Sequence, residues 1–273
     1  IAAHGRESIG TYLGNPGAHN LSAITYNRVL LSAIGSRQRF SASSVDQIPK
    51  QVSAGLMFGT AISVPVPDLD RTDYLLMLGA NPYASNGSLA TAPDWLGRLE
   101  AIRARGGKVV VVDPRRSRSA QEADEWLAVR PGTDALLLAA MVTAVFEAGR
   151  AEPGEHLRGH LNGLEDVHAA LAVFTPEAVE RATGIDAATI RRVALELCDA
   201  QCAAVYGRIG TTTVSFGTTA SWLIDVLNVV TGNLDIEGGA MFPLPVAAGP
   251  TTRGKPGVGK GFRIGRGKTR VRG

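Results

Sequence analysis

Cysteine is almost missing: Cys198 and Cys202 are the only two in 273 residues. Two thiols cannot build a disulfide framework, a closed zinc site or an iron–sulfur cluster. Their four-residue spacing predicts consecutive turns of one helix, where a mutual disulfide is awkward, so both are read as helix cysteines in a reducing setting. Long apolar runs are missing too. The longest, 135–146, falls short of the roughly 20 residues that cross a bilayer and reads as a buried helix. His156 and His160 (HLRGH) have one-turn spacing without the glutamate of HExxH, and Gly159 weakens the turn; they read as surface histidines. No secretory leader is recognisable, and the chain opens on Ile1 instead of methionine, which predicts a processed product or part of a larger polypeptide.

Acids are absent from 251–273, which carries eight Lys or Arg. The net charge of +3 therefore conceals a body with 20 basic against 25 acidic residues. A Gly-rich basic tail of this kind can bind nucleic acid electrostatically. No aromatic platform accompanies it, so a connecting segment is the preferred reading and nucleic acid is not an expected partner.

What is present is a repeated local pattern. Between 74 and 149, three short apolar runs each end in a polar, Gly- or Pro-marked loop and lead into an amphipathic segment. YLLML precedes GANPYASNGS, KVVVV precedes DPRRSRSA, and WLAV precedes RPGTDALLLAAM. This alternation predicts an α/β fold: a Rossmann-like parallel sheet with crossover helices, its ligand at the carboxyl ends of the strands. The pattern returns at 203–206, where a short strand runs into GRIGTTT and a helix from about 217 to 231. Elsewhere a strand is predicted at 11–13, and a helix over 21–34 capped by Asn20. Further helices fall near 51–58 and over 93–105, and two more between 175 and 200 are split by TGID, with Pro176 and Asp186 at their starts. The simplest organisation inserts a cofactor-binding domain (46–206) into a second α/β domain made of 1–45 and 207–250, followed by the tail.

Each loop has a chemical and a plain reading. Gly79 ends its strand where a backbone can approach a phosphate, with Asn81 and Ser85 as donors beside the next helix; an ordinary βα turn explains the same residues. The loop lacks G-x-G-x-x-G, so the usual dinucleotide fingerprint is missing. Asp113 ends an apolar strand where an acid can accept from ribose hydroxyls, and Arg115, Arg116 and Arg118 suit a pyrophosphate; the alternative is a solvated basic turn, which Pro114 argues against. Gly132 and Asp134 open the third helix. Asp134 either favours the helix dipole or accepts from a guanine edge, and sequence leaves both open.

Taken together, LGANPYASN, VVDPRRSRSA, RPGTDALLLAAM, YGRIGTTT and LNVVTGNLDIEGGAMFP occur in an order and spacing that resembles the molybdopterin oxidoreductases of the dimethyl sulfoxide reductase type, which include formate dehydrogenases and nitrate reductases. The likeness spans about 11–243. It implies two molybdopterin guanine dinucleotides holding molybdenum or tungsten, and two-electron redox of a small substrate. It assigns Gly79, Asn81 and Ser85 to the dinucleotide phosphates, Asp113 and Arg115 to ribose and pyrophosphate, and Asp134 to guanine, with Gly132 opening that helix. Gly207, Gly210 and Thr213 belong by the same likeness to the loop near the pterin. The family's metal ligand comes from the stretch 41–48, which has no cysteine. Asp46 is the first candidate there and Ser44 the second, since hard oxygen donors suit a high-valent metal; chain turning and helix capping are the competing reading. The family's iron–sulfur segment and C-terminal domain have no counterpart in this sequence. A 4Fe-4S cluster is thus expected only in the full-length protein, as are the remaining domains of the polypeptide and an electron-transfer partner. The fragment alone is expected to be inactive, with a cytoplasmic setting. The rival readings are a Rossmann-like NAD or thiamine diphosphate domain and a non-catalytic nucleotide-binding module.

Overall fold

Branched aliphatic runs such as YLLML and KVVVV lose little by extending and gain by burial on both sheet faces, and they form the centre of a parallel sheet. The computed structural model describes residues 1–14, 17, 20–90 and 92–243, with the backbone of two strands at 262–263 and 270–271. In chain order the first elements are β1 (Thr11–Leu13), α1 (Leu21–Ile34), β2 (Arg39–Ser41), α2 (Ser43–Asp46), α3 (Ile48–Phe58) and β3 (Val66–Pro67). The next are β4 (Tyr74–Leu78), α4 (Pro82–Ser85), α5 (Trp95–Ala104), β5 (Lys108–Val112), α6 (Arg118–Gln121) and β6 (Glu125–Leu127). Four helices follow: α7 (Asp134–Glu147), α8 (Leu164–Leu171), α9 (Pro176–Thr183) and α10 (Ala187–Asp199). After them come β7 (Ala203–Gly207), α11 (Ile209–Thr212), α12 (Gly217–Val230) and β8 (Ala240–Met241).

Among the described residues the main sheet has four strands in the order β6-β5-β4-β7, every pair parallel. The chain moves outward from β4 through β5 to β6, then returns across β4 to place β7 on its other side. That reversal makes the carboxyl end of β4 and β7 a topological switch point, where open α/β sheets bind their ligands.

The two sheet faces sort the strand residues by parity, as the pleat requires. Tyr74, Leu76, Leu78, Val110, Val112 and Val205 share a core with α7, α10 and α12. Leu75, Met77, Val109, Val111, Ala204 and Tyr206 face the other way, onto Trp95, Leu99 and Ile102 of α5. Asn20 and Asp186 cap their helices as expected, accepting from the amides of Ala23 and Thr189, and Asp94 and Thr175 cap two more, accepting from Gly97 and Ala178.

The outer edge of β7 is sealed by side chains. The Asn228 side chain, from α12, accepts from the Val205 amide at 2.9 Å and donates to the Val205 carbonyl at 3.0 Å. The Asn233 side chain accepts from the Ala203 amide at 2.9 Å. Both asparagines are buried, so these carboxamides replace the hydrogen bonds another strand would make.

The chain divides into two compact units, Ile1–Ile48 and Pro49–Gly273. In the first, β1 and β2 pair in parallel, and the Arg6 guanidinium donates to the carbonyls of Ala33 and Ile34 at the end of α1. In the second, α12 packs on α7 and β7, and β3 pairs antiparallel with β8. The apolar face of α12, with Leu223, Ile224, Leu227 and Val230 buried, covers the sheet.

One sequence expectation fails outright. Cys198 lies in α10, but Ala200 adopts extended angles that end the helix, so Cys202 sits in the turn before β7. The two thiols are not on consecutive turns, and both are free. The first crossover helix starts at Trp95 instead of 93, because Asp94 takes the capping position. The helix expected near 51–58 begins at Ile48. The basic tail falls almost entirely outside the described residues, apart from the antiparallel strands β9 (Phe262–Arg263) and β10 (Arg270–Val271).

Candidate cofactor site

Gly79 leaves β4 with φ +56°, a conformation that costs a residue with a Cβ. A Cβ there would lie 2.6 Å from the Gly210 Cα, and one on Gly210 would lie 2.6 Å from the Gly79 Cα. The two glycines thus let the loops after β4 and β7 pass backbone to backbone. The contact is bonded as well as close, with the Gly210 amide donating to the Gly79 carbonyl at 3.1 Å and the Arg208 amide to the Leu78 carbonyl at 3.0 Å. The switch point is therefore floored by bare backbone, a surface that flat or anionic groups can approach.

The other loops close around it. The Ser119 hydroxyl, at the start of α6, donates to the Asn81 Oδ1 at 2.7 Å, tying the loop after β4 to the one after β5. That bond leaves the Asn81 amide nitrogen as the group able to donate elsewhere. The Ser85 hydroxyl donates to the Asn81 carbonyl at 3.2 Å and is exposed. Asp113 accepts from the Arg115 amide at 2.8 Å, and its carbonyl accepts from the Trp126 indole at 2.8 Å. Arg115, Arg116 and Arg118 are exposed, Arg116 lying over the Trp126 ring and Arg118 over Tyr83. The basic turn is thus fixed by its aromatic neighbours.

Asp134 is buried in the first turn of α7, behind Gly132 with φ +80°. Burial raises its carboxyl above the ordinary aspartate value, and the charge of Asp113 adds to that. Burial raises Asp113 as well, opposed by the amide and charge of Arg115. The charge of Asp113, just past the end of β5, thus acts on Asp134 at the start of α7. Partly desolvated carboxylates are suited to accepting hydrogen bonds from neutral N–H and O–H donors. The structure thus brings Gly79, Asn81, Ser85, Asp113, Arg115, Gly132, Asp134, Gly207 and Gly210 to the carboxyl side of one sheet. Thr213 is different: it is exposed, with its hydroxyl donating to the Ile209 carbonyl at 2.8 Å.

The stretch 41–48 folds as the end of β2 and the four-residue α2. Ser44 is exposed and donates to the Ser41 carbonyl at 3.3 Å, and Asp46 is half-buried at the last position of α2. Among the described residues no group of three or more His, Cys, Asp or Glu side chains is placed to hold a metal.

The family model for molybdopterin oxidoreductases matches residues 1–260. The chain belongs to that family. Membership carries with it a molybdopterin cofactor bearing molybdenum or tungsten, and the resemblance read from the five loop motifs is borne out. Among curated relatives, formate dehydrogenase H of Escherichia coli is 26% identical over 85% of this chain and 32% of its own length. The thiosulfate reductase molybdopterin-containing subunit of Salmonella typhimurium is 30% identical over 87% of this chain and 30% of its own. The F420-dependent formate dehydrogenase subunit alpha of Methanocaldococcus jannaschii is 27% identical over 68% of this chain and 27% of its own. The chain thus spans under a third of the length of these relatives. Acetylene hydratase from Pelobacter acetylenicus superimposes with a TM-score of 0.67 over 88% of this chain and 31% of that one, at 24% identity, which shows a shared fold. No helix among the described residues is long and apolar enough to cross a membrane.

The residues present fit a phosphate-bearing cofactor such as a molybdopterin. The switch point offers a Cβ-free floor, the turn after β5 offers guanidinium groups, and the third loop offers a buried carboxylate. Sequence reading missed the contact of Arg208 with Ser88, which is visible only once β7 is placed beside β4.

Proposed function

We propose that this chain is the central cofactor-binding portion of a molybdenum or tungsten oxidoreductase using two molybdopterin guanine dinucleotides. The observation that supports the reading is the bare-backbone approach of Gly79 to Gly210 at the switch point, with the buried Asp134 carboxyl at the start of α7. Gly79, Asn81 and Ser85 hold the phosphates of one dinucleotide through amides and side-chain donors. Arg115 grips the pyrophosphate from the exposed turn, and Asp113 accepts from the ribose hydroxyls. Asp134, presented by Gly132, accepts from the N1 and N2 donors of guanine, which a carboxylate matches and an adenine edge does not. Gly207, Gly210 and Thr213 form the wall toward the pterin.

When bound, the metal centre supplies two-electron redox chemistry on a small substrate. The contribution of this chain is to bind, orient and exclude water. Asp46, with Ser44 as the second choice, is proposed as the protein ligand of the metal, since hard oxygen donors suit a high-valent metal. Relatives acting on formate and on thiosulfate are matched to similar extents, so the substrate class is left at small oxidisable or reducible molecules. An iron–sulfur cluster, further domains and an electron-transfer partner belong to the same proposal. A plain NAD or thiamine diphosphate domain is not favoured, because the family match runs across nearly the whole chain.

Elemental analysis combined with acid release of nucleotide tests the reading. Molybdenum or tungsten with about two guanine nucleotides per metal is expected of protein made where the cofactor is supplied. Adenine nucleotide, or guanine absent altogether, would overturn it.

A further inference from the structure

Directly after α4 the chain takes a conformation that local sequence does not favour. Asn86, Gly87 and Ser88 have consecutive φ values of +50°, +82° and +54°. Left-handed angles at single non-glycine residues are uncommon, and two of them flanking a glycine persist only where the surroundings over-determine the backbone. Here the surroundings are two aromatic side chains from the second core. The Tyr206 hydroxyl accepts from the Ala90 amide at 3.1 Å and donates to the Gly87 carbonyl at 3.0 Å. The Trp95 indole donates to the Ala90 carbonyl at 2.8 Å. Tyr206 and Trp95 stack with ring centroids 5.9 Å apart, and both are buried. A Cβ on Gly87 would run into the Trp95 indole. Both main-chain groups of Ala90 and the carbonyl of Gly87 are thus fixed by side chains.

The held loop is bonded in turn to the residue that leaves β7. The Arg208 Nη2 donates to the Ser88 hydroxyl at 2.9 Å. Arg208 follows β7 directly and is only 9% exposed, with its amide bonded to the Leu78 carbonyl. Residues 206 and 208 are two apart on an extended strand exit, so they face the same side. Tyr206 therefore grips the backbone of the loop while Arg208 grips its Ser88 side chain.

We infer that Tyr206 is a positioning residue for the cofactor phosphates, acting through the 86–90 loop and Ser88 on the guanidinium of Arg208. The inference rests on the dinucleotide reading proposed above. Arg208 stands at the carboxyl end of the two switch-point strands, and a guanidinium is a charge-assisted donor well matched to phosphate. Ser88 holds that fork in one orientation before the ligand arrives, and Tyr206 with Trp95 holds Ser88. A guanidinium ordered in advance loses less freedom on binding. Burial raises the Tyr206 hydroxyl to about 12, which keeps it a donor across the working range.

The test is a double-mutant cycle on the purified holoprotein, reading the first-order rate of guanine nucleotide release. Tyr206→Phe keeps the ring against Trp95 and removes only the hydroxyl. Release at least ten times faster than wild type is expected, with the thermal midpoint of the cofactor-free protein shifted far less than that of the loaded protein. In a Ser88→Ala background the Tyr206→Phe substitution should add little, because its route to Arg208 is already cut. An equal acceleration in both backgrounds overturns the inference, since Tyr206 would then act on the fold generally; so does unchanged release in Tyr206→Phe. Wild-type holoprotein with no guanine nucleotide sinks the dinucleotide reading itself, and this inference with it. Should Tyr206→Phe fold poorly, Trp95→Phe, which deletes the bond to the Ala90 carbonyl, makes the same prediction in the same cycle.

Discussion

The Lys50 ammonium lies 2.9 Å from both carboxylate oxygens of Asp225, with both side chains buried between α3 and α12. Burial pushes the Asp225 carboxyl upward while the Lys50 charge and hydrogen bond pull it down. A pair of this kind adds little over an apolar pair of equal volume, yet breaking it strands a buried charge. Lys50→Met is expected to destabilise the protein by about 3–5 kcal/mol. The double variant Lys50→Met with Asp225→Leu should recover most of that loss. Urea unfolding of the single and double variants checks both expectations.

The backbone approach of Gly79 to Gly210 predicts a local effect of a single methyl. Gly79→Ala places a Cβ 2.6 Å from the Gly210 Cα at a positive φ. Overpacking of this sort costs roughly 1–3 kcal/mol, and the loops must separate to relieve it. Guanine nucleotide content should fall sharply while far-ultraviolet circular dichroism is retained. Full nucleotide content in Gly79→Ala would show that the close approach is not needed for binding.

Proton linkage at the acidic pair has a definite sign. Burial first, and for Asp134 the charge of Asp113 next, place both carboxyls above their ordinary values. The ionised carboxylate is the form that accepts from guanine and ribose donors, so binding draws protons off the site. Affinity for GMP should therefore be flat at neutral pH and weaken as pH falls through these raised values. Asp134→Asn should weaken GMP binding at pH 7 and flatten the pH profile, as isothermal titration would show.

At the opposite end of the sheet, Lys108 bridges Glu125 at 2.9 Å and Glu196 at 2.8 Å, and Arg192 pairs with both acids. Partial burial raises both glutamates, but the hydrogen bonds from Arg192, Lys108 and Tyr74 outweigh it and leave them below the ordinary value. Their contribution to stability is thus present above the unfolded glutamate pKa and fades as pH drops through the lowered folded values. These groups are partly exposed, so each pair is worth only about 1 kcal/mol or less and weakens with salt. Lys108→Met should shrink the difference between thermal midpoints at pH 7 and pH 3, and high salt should reproduce part of that change.

Elements set by local chemistry could be read directly from the sequence. Asn20, Asp186 and Pro176 mark helix starts because capping acts within three residues, and the strands ending at Leu78 and Val112 announce themselves by composition. Gly79, Asp113 and Asp134 could be picked out because each sits at a strand-to-helix turn. Long-range packing hid the rest. Whether Cys202 continued the helix depended on where Ala200 turned, and the placement of α12 depended on which strand lay beside β4. Ser88 and Arg208 are 120 residues apart, and nothing in either neighbourhood announces the other. Asp134 was ambiguous between dipole and ligand because burial, which distinguishes them, is a tertiary property.

The asparagine seal on β7 fixes how this unit can grow. With the Val205 amide and carbonyl and the Ala203 amide already occupied, that margin of the sheet offers no template for strand addition. A neighbouring domain or subunit cannot zip onto it by backbone pairing, and it must instead engage helix surfaces or the loops at the carboxyl ends. The same closure guards an isolated copy against edge-to-edge association on that side. In this architecture the place reserved for a further strand has been spent on two carboxamides, and the sheet ends there by construction.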